Sequence, residues 1–452
     1  MKYFSFLLFG LLFLHKSYAQ ISAGTTLKDL LQLAETNYPL LKSKALEIQA
    51  AQKGIDISKN INFPSLDASY QVNYATYNNI TGMAYPQFLI PISGPPATSN
   101  NMSGVFGSAT SLLLNWQPVN FGQKKSQVEF STAGVQFVSA DAANEIFRHK
   151  IKVINAYLDV LTATELIKLN EENLKRTEAN LSAVKTLVIT GIKPGVDSAL
   201  LKAETSKAKV DLLNIRKNKE QADIILSQLL AVDLPGAIND SSYFSKLPVV
   251  FVNADTAQNP LLALYKSSID LSKAKRNVLS KTTSPVLGTW GTLYARGSGV
   301  HDLNNVKAID GLGLQRFNYG LGLQLSFPIL QSAKIKPQLQ QQDFIIKSNE
   351  EKMNEIALQL KKQNEIADNT LKSALEMVKE TPLFYESAAF AYRALQSRYQ
   401  SGLANFSDLT QAQYGLIKAE TENKIAFMGV WKALLYKAAV TGDLNLFLNQ
   451  VK

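Results

Sequence analysis

The stretch Ser397–Glu420, SRYQSGLANFSDLTQAQYGLIKAE, places Gly402 in a turn-like segment between two runs that read as helix, with Asp408 six residues beyond the glycine. Glycine adopts a left-handed backbone without a Cβ penalty and so ends helices. An aspartate at that distance falls at the start of the next helix, where it caps free N–H groups or sits in a first turn that favours negative charge. Thr186–Glu204, TLVITGIKPGVDSALLKAE, repeats the arrangement with Gly191 and Asp197, again six apart. One spacing used twice marks the foot of a helical hairpin that the chain contains in duplicate.

The duplication extends outward from these turns. Pro39 and Pro64 lie 25 residues apart in the first half, as do Pro260 and Pro285 in the second. Leu114 of LLLNWQP and Leu325 of LQLSFP each precede their turn glycine by 77 residues. The offset between halves is 221 residues before the strand region and 211 after it, so one half has lost about ten residues between those landmarks. Each unit reads in the same order: moderate helix, two strands, very long helix, sharp turn, moderate helix. The boundaries are 20–231 for the first repeat, 232–256 for a Pro-bearing link, 257–438 for the second repeat and 439–452 for a tail.

The first helix of unit one is expected over about Thr26–Lys59 and the long one over about Lys124–Leu187. The seam of the long helix runs Val153, Ala156, Val160, Ala163, Ile167, Asn170, Leu174, Thr177, Leu181, Val184, Val188. Its alternating three- and four-residue steps are those of a left-handed supercoil. Leu371, Ala374, Val378, Thr381, Tyr385, Ala388, Tyr392, Leu395 and Tyr399 repeat the pattern. A helix of about 64 residues would extend roughly 95 Å, too long for a compact globule. Pro382 removes a hydrogen bond inside the second rod and is expected to bend it.

Four segments alternate with period two. In SLDASYQVNYAT, Leu66, Ala68, Tyr70, Val72 and Tyr74 oppose Asp67, Ser69, Gln71 and Asn73; in FNYGLGLQLSFP, Phe317, Tyr319, Leu321, Leu323, Leu325 and Phe327 oppose Asn318, Gly320, Gly322, Gln324 and Ser326. TSLLLNWQP and VLGTWGTLYARG follow less cleanly. Segments of roughly 10 to 12 residues are long enough to cross an outer membrane as tilted strands, with a polar face suited to a wet lumen. Four strands cannot close a barrel, because open edges in lipid leave backbone groups unpaired. Membrane strands therefore require oligomerisation, and three copies would supply twelve. The alternative from these segments alone is a half-buried sheet in a soluble domain. The stretches 78–107 and about 297–316 fit external loops.

Composition narrows the chemistry. MKYFSFLLFGLLFLHKSYAQ, with Lys2, an apolar run from Phe4 to Leu14 and a cut after Ala19, reads as a signal peptide over 1–19. The net charge is +10, nearer +8 once Lys2 and Lys16 are removed, but the basic residues are dispersed, so no nucleic acid partner is expected. With no cysteine and three histidines, thiol chemistry is excluded and a histidine cluster has little material. His149 reads as an ordinary polar helix residue. No catalytic residue, cofactor site or metal site is expected.

FPSLDASY, LNWQPVNFGQKKSQV and RYQSGLANFSDLTQAQYGLIKAE, with TLVITGIKPGVDSALLKAE as the weaker partner of the last, resemble the TolC-type outer membrane efflux family over nearly the whole mature chain. The resemblance implies a mixed fold: a transmembrane β-barrel assembled from three protomers with four strands each, continued by a long α-helical coiled-coil barrel in the periplasm. It implies a passive channel for efflux or secretion in the cell outer membrane of a Gram-negative bacterium, in contact with outer membrane lipid. The implied partners are a periplasmic adaptor (membrane fusion) protein and an inner membrane pump or ABC exporter. By the resemblance, Tyr399, Asp408 and Gln411 belong to a periplasmic gate, and Gly191, Asp197 and Gly402 to adaptor-facing tips. Ala404 stands where an arginine can latch the closed tip, and Gln411 where a second carboxylate can occur. QSAKIK replaces the glycine-rich bend that Asn120, Phe121 and Gly122 keep in the first unit, and 232–256 resembles a belt around the tunnel. Asp197 and Asp408 are also explained as helix caps alone. The competing reading is a structural or adhesive coiled-coil protein of the envelope.

Overall fold

A computed structural model describes residues 26–78, 98–233, 238–249, 255–302 and 305–450. The signal peptide and parts of the first external loop and of the 232–256 link lie outside the described residues. Helices α1 (Leu27–Asn37) and α2 (Pro39–Asn60) lead into strands β1 (Ser65–Ala75) and β2 (Val105–Val119), then into helices α3 (Gln123–Ile189) and α4 (Gly195–Leu230). The second repeat runs α5 (Pro260–Lys281), β3 (Val286–Ser298), the short β4 (Val300–Asp302) and β5 (Asn305–Val306), β6 (Arg316–Ser326), α6 (Gln331–Gln400) and α7 (Phe406–Thr441), with α8 (Asn445–Leu448) after it.

The single first helix expected over Thr26–Lys59 is in fact two. Proline disfavours helical backbone in the residue before it, and Tyr38, ahead of Pro39, is extended at φ −65°, ψ 122°. Thr26 opens α1 with a capping box: its hydroxyl accepts from the Asp29 N–H, and the Asp29 carboxylate accepts from the Thr26 N–H at 2.9 Å. Helix α6, by contrast, remains helical through Pro382, so the missing N–H there does not end the rod.

The chain forms two compact units, and both repeats contribute to each. One comprises Met1–Glu47, Val138–Lys266 and Glu351–Lys452; the other comprises Ile48–Phe137 and Ser267–Glu350. In the first unit the seam read from sequence is the packed face of α3: Val153, Ala156, Val160, Asn170, Thr177 and Val184 are buried, and no other seam residue is exposed. Its main core joins α1, α3, α4, α6 and α7, with Trp431 packed edge-on against Tyr243 at 4.8 Å and Phe447 at 5.8 Å. Burying each aliphatic side chain of that core stabilises it by about 1.5–3 kcal/mol.

His149 is buried at 4 % exposure rather than lying on a polar surface. Its ring stacks on Tyr38 at 4.0 Å, and Nε2 donates to the Leu229 carbonyl at 3.0 Å, so it ties the α1–α2 break to the end of α4. Burial lowers its pKa below the ordinary value, against a smaller raising effect of the carbonyl. A depressed folded pKa means that the unfolded chain binds the proton first as pH falls. The contribution is then complete above the ordinary value of about 6.5 and is lost as pH drops through the folded value. The wild-type melting temperature is expected to fall between about pH 7.5 and pH 5 more than that of His149→Gln, which keeps a donor and cannot titrate. Equal falls in thermal melts would refute this role.

The second unit carries the sheet, ordered β1-β2-β3-β6 and antiparallel throughout. The register Leu66↔Leu114, Leu112↔Leu293 and Leu293↔Tyr319 places the apolar rows of all four strands on one face. Leu66, Tyr70, Tyr74, Phe317, Tyr319, Leu321 and Leu323 stand there more than 60 % exposed. The opposite face carries Ser65, Asp67, Ser69, Gln71, Asn73, Asn318 and Gln324. Trp290 also belongs to it, lying opposite Gly322 and filling the space a Cβ would need. The bend after β2 is made by Phe121 at φ 43° and Gly122 at φ 98°; after β6 no described residue has positive φ until Gly402.

Candidate functional site

Both hairpin turns are built as the sequence dictates. Gly191 and Gly402 take φ 77° and 78°. Each helix end closes with paired backbone bonds: Gly191 N–H to the Val188 carbonyl and Ile192 N–H to Leu187, then Gly402 N–H to Tyr399 and Leu403 N–H to Arg398. A Cβ at either glycine would meet open space, so the positive φ alone requires the residue.

The aspartates differ despite their equal spacing. Asn405 caps α7 by accepting from the Asp408 N–H at 2.8 Å, which leaves Asp408 half-buried in the first turn. Asp197 lies in the first turn of α4, where Pro194 provides no side-chain cap. It is buried, and its Oδ2 accepts from the Tyr399 hydroxyl at 2.8 Å. Burial, then the Asp197 carboxylate, pushes the Tyr399 phenol well above its ordinary pKa, so the hydroxyl remains a donor far past neutrality. Lys193 completes the cluster: its Nζ lies 4.4 Å from the centre of the Tyr399 ring and donates to the Ala404 carbonyl at 3.1 Å. Each hairpin turn thereby holds the other.

Above the turns, Asn180 is the hub of a polar network within the α3–α4–α6–α7 core. It donates to the Tyr392 hydroxyl at 2.9 Å and to Gln413 at 3.3 Å, and accepts from Gln396 at 2.8 Å. Farther along, Arg176 grips Glu420 through two parallel bonds of 2.8 and 2.6 Å. On the α4–α7 side, Lys207 lies over the Tyr414 ring at 4.3 Å and donates to its hydroxyl, which in turn bonds Glu204.

Residues 30–232 match the family model described as outer membrane efflux protein, and the second repeat carries the same order of helix, strand pair, long helix and helix. The first repeat is thus similar to the outer membrane efflux protein family.

The fold of the chain is that of solved outer membrane channels. It is similar to the outer membrane protein VceC from Vibrio cholerae, with 13% identity and TM-score 0.72 over 92% of this chain and 96% of that one. The Campylobacter jejuni CmeC outer membrane channel matches with 14% identity and TM-score 0.73 over 92% and 85%. The open state of the Neisseria gonorrhoeae MtrE outer membrane channel matches with 17% identity and TM-score 0.70 over 92% and 89%. No curated protein matches by sequence. Among the described residues, no helix is long and apolar enough to cross a membrane, and no group of three or more acidic or histidine side chains could hold a metal ion.

Within this channel-like fold, the structure brings Tyr399 to Asp197 rather than to Asp408, and leaves Gln411 exposed one turn along α7. Lys193, Asn180, Gln413 and the Arg176–Glu420 pair were not singled out from sequence. For Lys193 a signal existed. At the repeat offset of 211, the first-unit counterpart of Ala404 is Lys193, so a cation absent from one turn is present in the other.

Proposed function

We propose that three copies close a twelve-stranded barrel in the outer membrane by pairing β6 of one with β1 of the next, and that the helices continue it as a periplasmic tunnel. The observation that carries this reading is the sheet itself. Among the described residues its two outer strands, β1 and β6, have no partner on one side, and its apolar face exposes Leu66, Tyr70, Tyr74, Phe317, Tyr319, Leu321 and Leu323, while Ser108 and Ala295 toward the loop end are buried. Unpaired backbone edges are untenable in lipid, whereas a third copy that returns to the first leaves no edge. Export through it is passive, with energy and cargo choice supplied by an inner membrane pump or ABC exporter. The adaptor protein meets the tunnel at the Gly191 and Gly402 turns. Asp408, one per copy, forms a single acidic tier inside the tip, and the Tyr399–Asp197–Lys193 clasp holds that tip closed.

The chain contains no cysteine, so introduced pairs report cleanly. Cysteines placed along β1 and β6, such as at Ser69 and Asn318, are expected to cross-link detergent-extracted protein into a closed trimer that conducts ions in planar bilayers. Recovery as a soluble monomer would overturn the proposal. A membrane trimer that never conducts would favour the envelope-structural reading instead.

A further inference from the structure

At the loop end of the sheet, Arg296 of β3 stands directly opposite Arg316 of β6. Both belong to the polar face, in the alternation that runs Trp290, Thr292, Tyr294, Arg296 and Arg316, Asn318, Gly320, Gly322. Like charges directly opposite on one face of an antiparallel pair destabilise it, and here no ion pair among the described residues offsets them. Arg148, Arg176, Arg216 and Arg276 on the helices each meet a carboxylate within 3.0 Å, whereas Arg393 and Arg398 of α6 meet none within 4.0 Å among the described residues. Arg296 and Arg316 have no carboxylate within 4.0 Å among the described residues, which include every Asp and Glu of the chain. Arg316 donates to the Gln315 carbonyl at 3.3 Å, and the Arg296 guanidinium lies 5.9 Å from the Tyr294 ring centre. Asp310, on the connecting loop, is already held by His301 at 2.9 Å.

The juxtaposition is fixed. The Gln315 backbone N–H donates to the Arg296 carbonyl at 2.8 Å, and its side chain donates to the Ser298 and Asp310 carbonyls at 3.2 and 2.9 Å. Gly297 and Gly311 permit the loop to pack this closely: a Cβ at Gly297 would collide with the Gly313 carbonyl, and one at Gly311 with the Phe106 carbonyl. The strands therefore cannot slip to separate the charges. Across the rest of the row, the small Ala109 faces Arg296, and Gln71 faces Ala109.

We propose that Arg296 and Arg316 form an oxyanion-binding ring at the outer mouth of the lumen, taking carboxylate- or phosphate-bearing solutes. This rests on the barrel reading, in which the polar face lines the pore and three copies bring six guanidinium groups together. Two adjacent planar forks match the oxygens of such anions, and the ring favours anions over cations at the mouth.

The test is a planar bilayer measurement of the chloride-to-potassium permeability ratio, with inorganic phosphate then titrated from the loop side. Replacing both arginines, Arg296→Gln with Arg316→Gln, is expected to lower the ratio at least about threefold and to abolish phosphate inhibition. Arg296→Lys with Arg316→Lys is expected to keep the ratio and weaken phosphate inhibition, because charge is retained and the fork is lost. Wild-type channels whose current is indifferent to phosphate, or glutamine channels with an unchanged ratio, would overturn the ring while leaving the barrel intact. A wild-type protein that forms no channel would overturn the barrel reading, and the ring with it.

Discussion

Replacing Asp197 by alanine is expected to raise channel open probability more than any other single change at the tip. Tyr399, whose hydroxyl donates to Asp197, is 1 % exposed, so water has little access to replace the lost acceptor while the helices stay packed. An orphaned buried donor costs about 1–3 kcal/mol, and the bond broken is of the stronger, charge-assisted kind. At about 1.4 kcal/mol per tenfold, the clasped arrangement loses roughly one to two orders of magnitude against an opened one. Asp197→Asn keeps an acceptor and is expected to behave nearly as wild type. Lys193→Met removes the cation over the Tyr399 ring and the bond to Ala404, a loss of about 1 kcal/mol because the lysine remains near solvent. Single-channel recording orders the three variants, and an unchanged open probability in Asp197→Ala would remove Tyr399–Asp197 from the proposed gate. Because the Tyr399 phenol is held well above its ordinary pKa, the clasp is expected to show no opening near neutrality from that group.

The sequence was most readable where local chemistry and long-range packing agree. The turns at Gly191 and Gly402 need positive φ, and glycine at a repeated position announces it. The α3 seam repeats in threes and fours because one face is buried over many turns, so burial and sequence period coincide from Val153 to Val188. The strands were visible because one face is apolar, and the register then follows from keeping that face whole. The break at Tyr38 is set by Pro39, which marks the repeat and also constrains the residue before it. The clasp has no local signature. Asp197 and Asp408 share a spacing, but Asn405 serves as the α7 cap while Pro194 leaves α4 without a side-chain cap. Which of two equivalent carboxylates meets Tyr399 depends on packing between residues about 200 positions apart, and no local pattern encodes that.

The same limit hides an ion pair in the helical interior. Arg176 and Glu420 are separated by 244 positions, yet their paired bonds join α3 to α7 in the interior of the helical unit. The Glu420 side chain is 8 % exposed and that of Arg176 24 %. Moving two charges from water costs several kcal/mol, which the bidentate geometry offsets, so the intact pair adds little net stability. Removing one member leaves the other charge buried without compensation. Arg176→Ala is expected to destabilise the helical unit by about 3 kcal/mol, at the low end of the usual range because the arginine retains some solvent contact. The Arg176→Met, Glu420→Leu double variant is expected to recover most of that loss, since apolar side chains of similar volume replace both charges. A denaturant-unfolding cycle over the four proteins measures the coupling directly. Equal unfolding midpoints for wild type and Arg176→Ala would mean that water reaches Glu420 on its own, and the pair would then hold nothing.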